Sequence, residues 1–480
     1  MTRGQHFWTK ITSGLALSSI LAWPFTGILP TLAQTQGAYC RLSQDAIARK
    51  EQLRQQAFQG NAQAKTQYQT LLQQHAQALQ QCRSRNWPRQ QAIWLRLYPC
   101  DAKPGALDKV LDDIVNKGYN EVYIEVFYDS QVLLPEADNP TPWPSVVRSP
   151  GAENVDLFAD ALQKARARGL RPYAWLFSMN FGYAYSARPD RQNVLARNGK
   201  GQTSIEYVPD GSQAFIDPYN RQAQLDYYSI LREVIERRPD GVLFDYIRYP
   251  RGEGTDSVAA NVQDLWIYGS ASRAALLDRA RNNQGRELIN RFLNQGSISG
   301  ADVQAVRRQY PNDGSPQWQG KGGGSLQQEL WSLTLAHAAQ GVINFLDQAS
   351  SVVMRAGIPA GAVFFPGGNK PVGRQGFDSR LQPWDSFSPN LEWHPMSYAL
   401  CGSPNCIVEE VERVINRANG NTRIVPALAG YWGRWDEDRP PLETQMQAIR
   451  RQASEINSVS HFAYSWQEPE IDHARRFCEL

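Results

Sequence analysis

A (β/α)8 barrel, preceded by an α-helical hairpin and interrupted by a long helical insertion after its fourth strand, is the fold this sequence predicts. Three observations carry that expectation. Eight short apolar runs alternate with amphipathic segments over residues 90–480, the pattern of repeated βα units. A chain of 480 residues is long for one domain, yet a barrel with insertions reaches it. A doubly wound sheet is the alternative, but no glycine-rich phosphate loop follows the first run.

Residues 1–33 read as an export signal. Arg3 and Lys10 supply positive charge, Ile11–Leu29 is apolar and uncharged, and Thr31-Leu32-Ala33 is a small-x-small cleavage pattern. A retained membrane anchor is the alternative, against which Pro24 and Pro30 break the run. No later segment is long and apolar enough to span a bilayer, so none is expected once the signal is removed. The expected location is the periplasm, the cell envelope or the extracellular space. Residues 38–86 follow as a helical hairpin: they are rich in Gln and Ala, with apolar residues three or four apart, and Gly60-Asn61 marks the turn.

Barrel strands are expected at AIWLRLYP from Ala92, EVYIEVFY from Glu121, RPYAWLFSMN from Arg171 and GVLFDYIRYP from Gly241. GAVFFPG from Gly361, LEWHPMSY from Leu391, RIVPALAGYW from Arg423 and HFAYSWQEP from His461 complete the eight. Each is rich in β-branched and aromatic residues and is bounded by Gly, Pro or Asn. Helices are expected at 107–117, 155–168, 221–237, 326–356, 408–418 and 442–456. Roughly 75 residues (251–325) separate the fourth strand from its helix, far beyond an ordinary loop. Within them, 264–293 and 303–310 have helical composition, and 312–325, rich in Gly, Ser, Gln and Asn, is expected to be mobile. Following strand four, this insertion is expected over the active face as a cleft wall or lid.

Six cysteines in an exported chain suggest disulfides. Six allow fifteen pairings, and sequence alone does not choose among them, although spacing favours one set. In it Cys401 and Cys406 close the loop CGSPNC, Cys40 and Cys82 bracket the hairpin, and Cys100 and Cys478 remain. No CxxC or HExxH spacing is present, so neither a metal nor a cofactor is expected. Net charge is only +3 without a long basic run, which leaves no electrostatic case for nucleic acid. The oligomeric state is not specified.

Barrel enzymes place their chemistry at the carboxyl ends of the strands. There the sequence offers Glu125, Asp129, Trp175, Asn180, Asp245, Tyr246, Arg248, Tyr249, His394, Tyr398, Trp432, Trp466 and Glu468. Carboxylates set among aromatic and amide side chains fit glycoside hydrolysis, which needs one protonated carboxyl group and one nucleophile or base. Aromatic faces would hold the sugar rings of a polysaccharide. Asp245 is the preferred nucleophile or base, with Arg248 favouring its charged form. Glu468, desolvated by Trp466, is the leading acid partner, and Glu125 is the second candidate.

Four blocks resemble the glycoside-hydrolase-like family ten, a group of exported barrels. These are YNEVYIEVFYDSQVLLP from Tyr119, DLFADALQKARARGLRPYAWL from Asp156, IDPYNRQAQLDYYSILREVIERRPDGVLFDYIRYP from Ile216, and HPMSYA from His394. FDYIRYP is similar to a related glycosyl hydrolase family with an FDYxRFP motif. Many family-ten members carry two adjacent aspartates where this chain has Asp245 and Tyr246, and often Gln at Glu125. The resemblance implies an exported glycoside hydrolase, with cell-wall glycan among its substrates, and carries Asp245, Tyr246, Arg248 and Tyr249 over as site residues. Two other readings remain: a catalytically inactive glycan-binding barrel, and a cell-envelope scaffold in which the hairpin is the working part.

Overall fold

The structure is a computed structural model describing residues 33–36, 39–209, 211–374 and 376–479. The leader expected at 1–33 lies outside them except for Ala33. Eight parallel strands close into a barrel: β1 (Gln90–Leu95), β2 (Glu121–Tyr128), β3 (Arg171–Phe177), β4 (Gly241–Asp245), β5 (Ala360–Phe364), β6 (Glu392–Ser397), β7 (Ala427–Ala429) and β8 (Ser458–Phe462). Consecutive strands pair in order, and β8 closes on β1 through Ser458↔Gln90 to His461↔Ile93. The last strand ends sooner than its sequence suggests. HFAYSWQEP contributes only His461 and Phe462 to β8, and Tyr464–Gln467 turns helical.

Period-two alternation sends Trp94, Tyr123, Tyr173 and Leu243 into the barrel, where Trp94, Tyr123 and Trp175 meet edge to face. Gly241 is obligatory, since a Cβ there would lie 2.0 Å from the Tyr173 ring. Helices Ala106–Asn116, Leu157–Ala167, Arg221–Glu236, Leu326–Arg355, Pro404–Ile415 and Leu442–Gln452 follow the strands outside.

The hairpin consists of helices Gln44–Phe58 and Ala62–Arg85, with Gly60 at φ 95° and the Asn61 side chain capping the second through Ala64 N–H. It is fastened to the barrel's outer helices by a buried polar cluster. Tyr68 donates to Asp112 at 2.8 Å, and Arg168 bonds Asp112, Asp108 and Tyr68 at 2.7–2.8 Å. Cys40–Cys82, Cys100–Cys478 and Cys401–Cys406 are disulfides. Among the described residues no helix is long and apolar enough to cross a membrane.

The insertion forms helices Ser270–Leu277, Asn283–Gln295 and Gly300–Gln309. The helix expected over 264–293 is therefore broken, because Asn282 leaves the helix to cap the second segment through Gly285 N–H. The segment expected to be mobile is packed against these helices through Trp318, which is 1% exposed and bridged to Ala280. Asp217, on the segment before the helix Arg221–Glu236, accepts from Ser272 N–H at 2.8 Å and holds the insertion in place.

Candidate active site

At the carboxyl end of the barrel, Asp245 closes β4 and is 7% exposed. Its Oδ1 accepts the Tyr246 backbone N–H at 2.6 Å, and its Oδ2 accepts the Trp175 indole N–H at 3.1 Å. Burial raises its pKa to about 6, against the lowering pull of those donors and of Arg248. Trp175 pairs in register with Glu125 of β2, which lies on the same interior face. Trp175 pairs in turn with Leu243, so Asp245 stands two strand spacings of about 4.8 Å across from Glu125 and two residues of about 3.3 Å further along.

Glu125 is 1% exposed, and burial raises its pKa to about 7; the Asp245 charge adds to the rise while Arg96 opposes it. Arg96, from β1's carboxyl end, grips both Glu125 oxygens, Nε to Oε2 at 2.5 Å and the second nitrogen to Oε1 at 3.2 Å. It also reaches Asp129 at 3.1 Å and lies 4.3 Å over the Tyr128 ring. The β2–β3 register slips between Glu125 and Phe127, and Asp129, Ser130 and Tyr246 have φ of 42°, 63° and 52°. Bulges and left-handed non-glycine residues cost energy and gather where side chains must be aimed.

Aromatic rings wall this site. Phe462 lies 6.2 Å from Trp175, 5.9 Å from Tyr398 and 6.2 Å from Trp466. Tyr246 packs on Phe177 at 4.2 Å, with the Arg248 guanidinium 4.6 Å over its ring. Tyr398 is held far above its ordinary pKa by burial and by the Asp245 charge, so it is a neutral donor.

The structure thus gathers Asp245, Glu125, Asp129, Trp175, Tyr246, Arg248, Tyr398 and Trp466. It leaves five of the expected site residues elsewhere. Glu468 follows the helical turn after β8 and ion-pairs with Lys117, beyond the outer helix Ala106–Asn116. It is not brought to Asp245, because β8 ends at Phe462 and the turn carries Glu468 away. His394 is fully buried deeper in the barrel, its Nε2 3.3 Å from Glu392. Trp432 lies outside the sheet against His461 and Tyr39. Tyr249 is a core residue whose hydroxyl meets Ala338 O. Asn180 staples a loop by accepting from Gly182 and Ala214 N–H.

Sequence reasoning overlooked Arg96 and Phe462. Arg96 had a signal, because a charged residue two beyond the inward Trp94 must also point inward at the strand's end. Phe462 had none while the eighth strand was set three residues late. Among the described residues no group of three or more His, Cys, Asp or Glu side chains could hold a metal ion.

No protein-family model and no curated protein matches the chain, so the likeness to family ten rests on the quoted blocks alone. Among solved structures, a hypothetical protein from Ruminiclostridium thermocellum matches at 18% identity over 33% of this chain and 78% of its own, with a TM-score of 0.26. The GH20 modules of the pneumococcal exo-β-D-N-acetylglucosaminidase StrH match at 11% over 81% of each chain, with a TM-score of 0.40. The β-N-acetylhexosaminidase of Bacteroides fragilis matches at 10% over 82% of this chain and 65% of that one, with a TM-score of 0.39. At this level of likeness none of them bears on function.

Proposed function

We propose that the protein is an exported glycoside hydrolase acting on a polysaccharide, with Glu125 and Asp245 as its carboxyl pair. One observation carries the reading: two buried carboxylates, raised to about 7 and about 6, the first in part by the charge of the second, face inward toward the carboxyl ends of β2 and β4 under a wall of aromatic rings. Between those two values Asp245 is mostly ionised while Glu125 mostly keeps its proton. Glu125, the more buried and the last to ionise, donates it to the leaving glycosidic oxygen. Asp245, steadied by Trp175 and Arg248, acts as the anionic partner, either on the sugar carbon or on a water. Arg96 is a positioning residue that aims Glu125.

The test is release of fragments from peptide-free peptidoglycan strands and a panel of other polysaccharides. Wild-type protein releases fragments, whereas Asp245→Asn and Glu125→Gln each lose about a thousandfold while remaining folded. An active Asp245→Asn protein would overturn the assignment. The second reading, a catalytically inactive glycan-binding barrel, is favoured by the Arg96 grip on both oxygens of Glu125. It predicts binding without fragments from any of these glycans.

A further inference from the structure

The loop after β7, residues 430–440, carries an aromatic assembly that extends the site's wall outward from Trp466. Tyr431 stacks on Trp466, centroids 5.6 Å apart and planes 17° apart. Arg434 lies 4.0 Å over the Tyr431 ring and Arg439 lies 5.2 Å over the Trp466 ring. Arg439 also acts electrostatically on Tyr398, which faces Asp245. Its Nε is buried without a partner. The rings therefore run without a break from Trp175 through Phe462 and Trp466 to Tyr431. Trp435, next to Arg434 in the chain, is 55% exposed. It stands on a loop at the carboxyl end of the barrel, the face that carries Asp245, beside the guanidinium that covers Tyr431.

The loop is rigid where a binding surface needs it to be. Gly433 N–H donates to both Glu443 oxygens at 3.0 and 3.1 Å, and Gly402 N–H donates to Asp438 O at 2.8 Å. Gln467 Nε2 holds Gly430 O at 2.8 Å, and Asp436 and Arg439 exchange backbone bonds at 3.1 and 2.8 Å. A surface fixed in advance loses little entropy on binding. Arg434 is exposed and makes no ion pair among the described residues, so its donors are open to ligand oxygens.

We infer that this loop is a distal sugar subsite of the same cleft, with Trp435 as the platform for a pyranose ring and Arg434 as donor to its oxygens. The occupant is a polysaccharide chain whose cleaved bond lies at Asp245 and whose further sugars cross Trp466 and Tyr431 to reach Trp435. The substrate is thus a chain of several sugars, not a short glycoside. This rests on the hydrolase reading for its direction but is testable apart from it.

The test measures binding of long peptide-free peptidoglycan strands, and of a disaccharide from the same strands, to Asp245→Asn protein with and without Trp435→Ala. Removing the indole weakens binding of the long strands about tenfold and leaves the disaccharide unchanged. Arg434→Ala weakens the long strands about threefold. Trp435 is exposed, so thermal stability is unaffected, and a melting curve checks this. Equal loss for both ligands, no loss, or no binding of the strands by either protein overturns the subsite. Strand binding that depends on Trp435, without cleavage by wild-type protein, supports the subsite and overturns only the hydrolase reading.

Discussion

At its two ends the barrel interior buries carboxylates in opposite ways. At the amino ends of the strands, Glu121 opens β2, Glu392 opens β6 and Arg171 opens β3. Arg171 bonds Glu121 at 2.8 Å, and Arg423 reaches Glu392, Glu121 and Gln90 together. Burial works against the Glu392 charge, yet His394 and Arg423 hold its pKa down to about 2. At the carboxyl ends, Glu125 and Asp245 stand at about 7 and about 6, because burial outweighs their partners. The chemistry is the same and the compensation differs. A carboxylate matched by cations is a strut; one left short of compensation holds a proton near neutral pH and can pass it on.

The contrast is open to direct attack. The largest effect expected is on activity: Glu392→Gln keeps cleavage per folded molecule within about threefold, against the thousandfold losses at Glu125 and Asp245. Comparable activity losses at both ends would erase the distinction. Next comes stability. Arg423→Met leaves buried carboxylates unpaired and costs about 3 kcal/mol in chemical denaturation at pH 7. Because Glu392 is held low, its contribution is present above the ordinary carboxylate range and is lost as pH falls toward 2, so the Arg423→Met deficit shrinks in acid.

The last effect has the opposite sign. Asp245 is raised, so wild-type protein loses stability as pH rises through about 6. Asp245→Asn removes that loss and is more stable by up to about 3 kcal/mol above pH 7, with no difference below about pH 4. A variant less stable than wild type at pH 8 would put Asp245 among the struts. The cleavage rate should follow a bell with limbs near 6 and 7, and Arg96→Met should move the alkaline limb upward by removing the cation that favours ionised Glu125.

Much of this was legible in the chain. Alternation along GVLFDYIRYP put Asp245 at a strand's carboxyl end, and the Gly60-Asn61 pair marked the hairpin turn. The spacing of CGSPNC singled out the Cys401–Cys406 loop. These are local signals, set by side-chain period, φ preference and loop length, and neighbours in sequence suffice to read them. The carboxylate proposed as the partner of Asp245 is not of that kind. Glu125 lies 120 residues earlier and shares the inner face with Asp245 only because β3 pairs between their two strands. Glu468, which strand-end reasoning preferred, is carried away by a helical turn begun four residues before it. What faces a barrel's axis depends on where each strand stops and on the register it takes with its neighbours. Packing of the whole barrel decides both, and that left Glu125, rather than Glu468, beside Asp245.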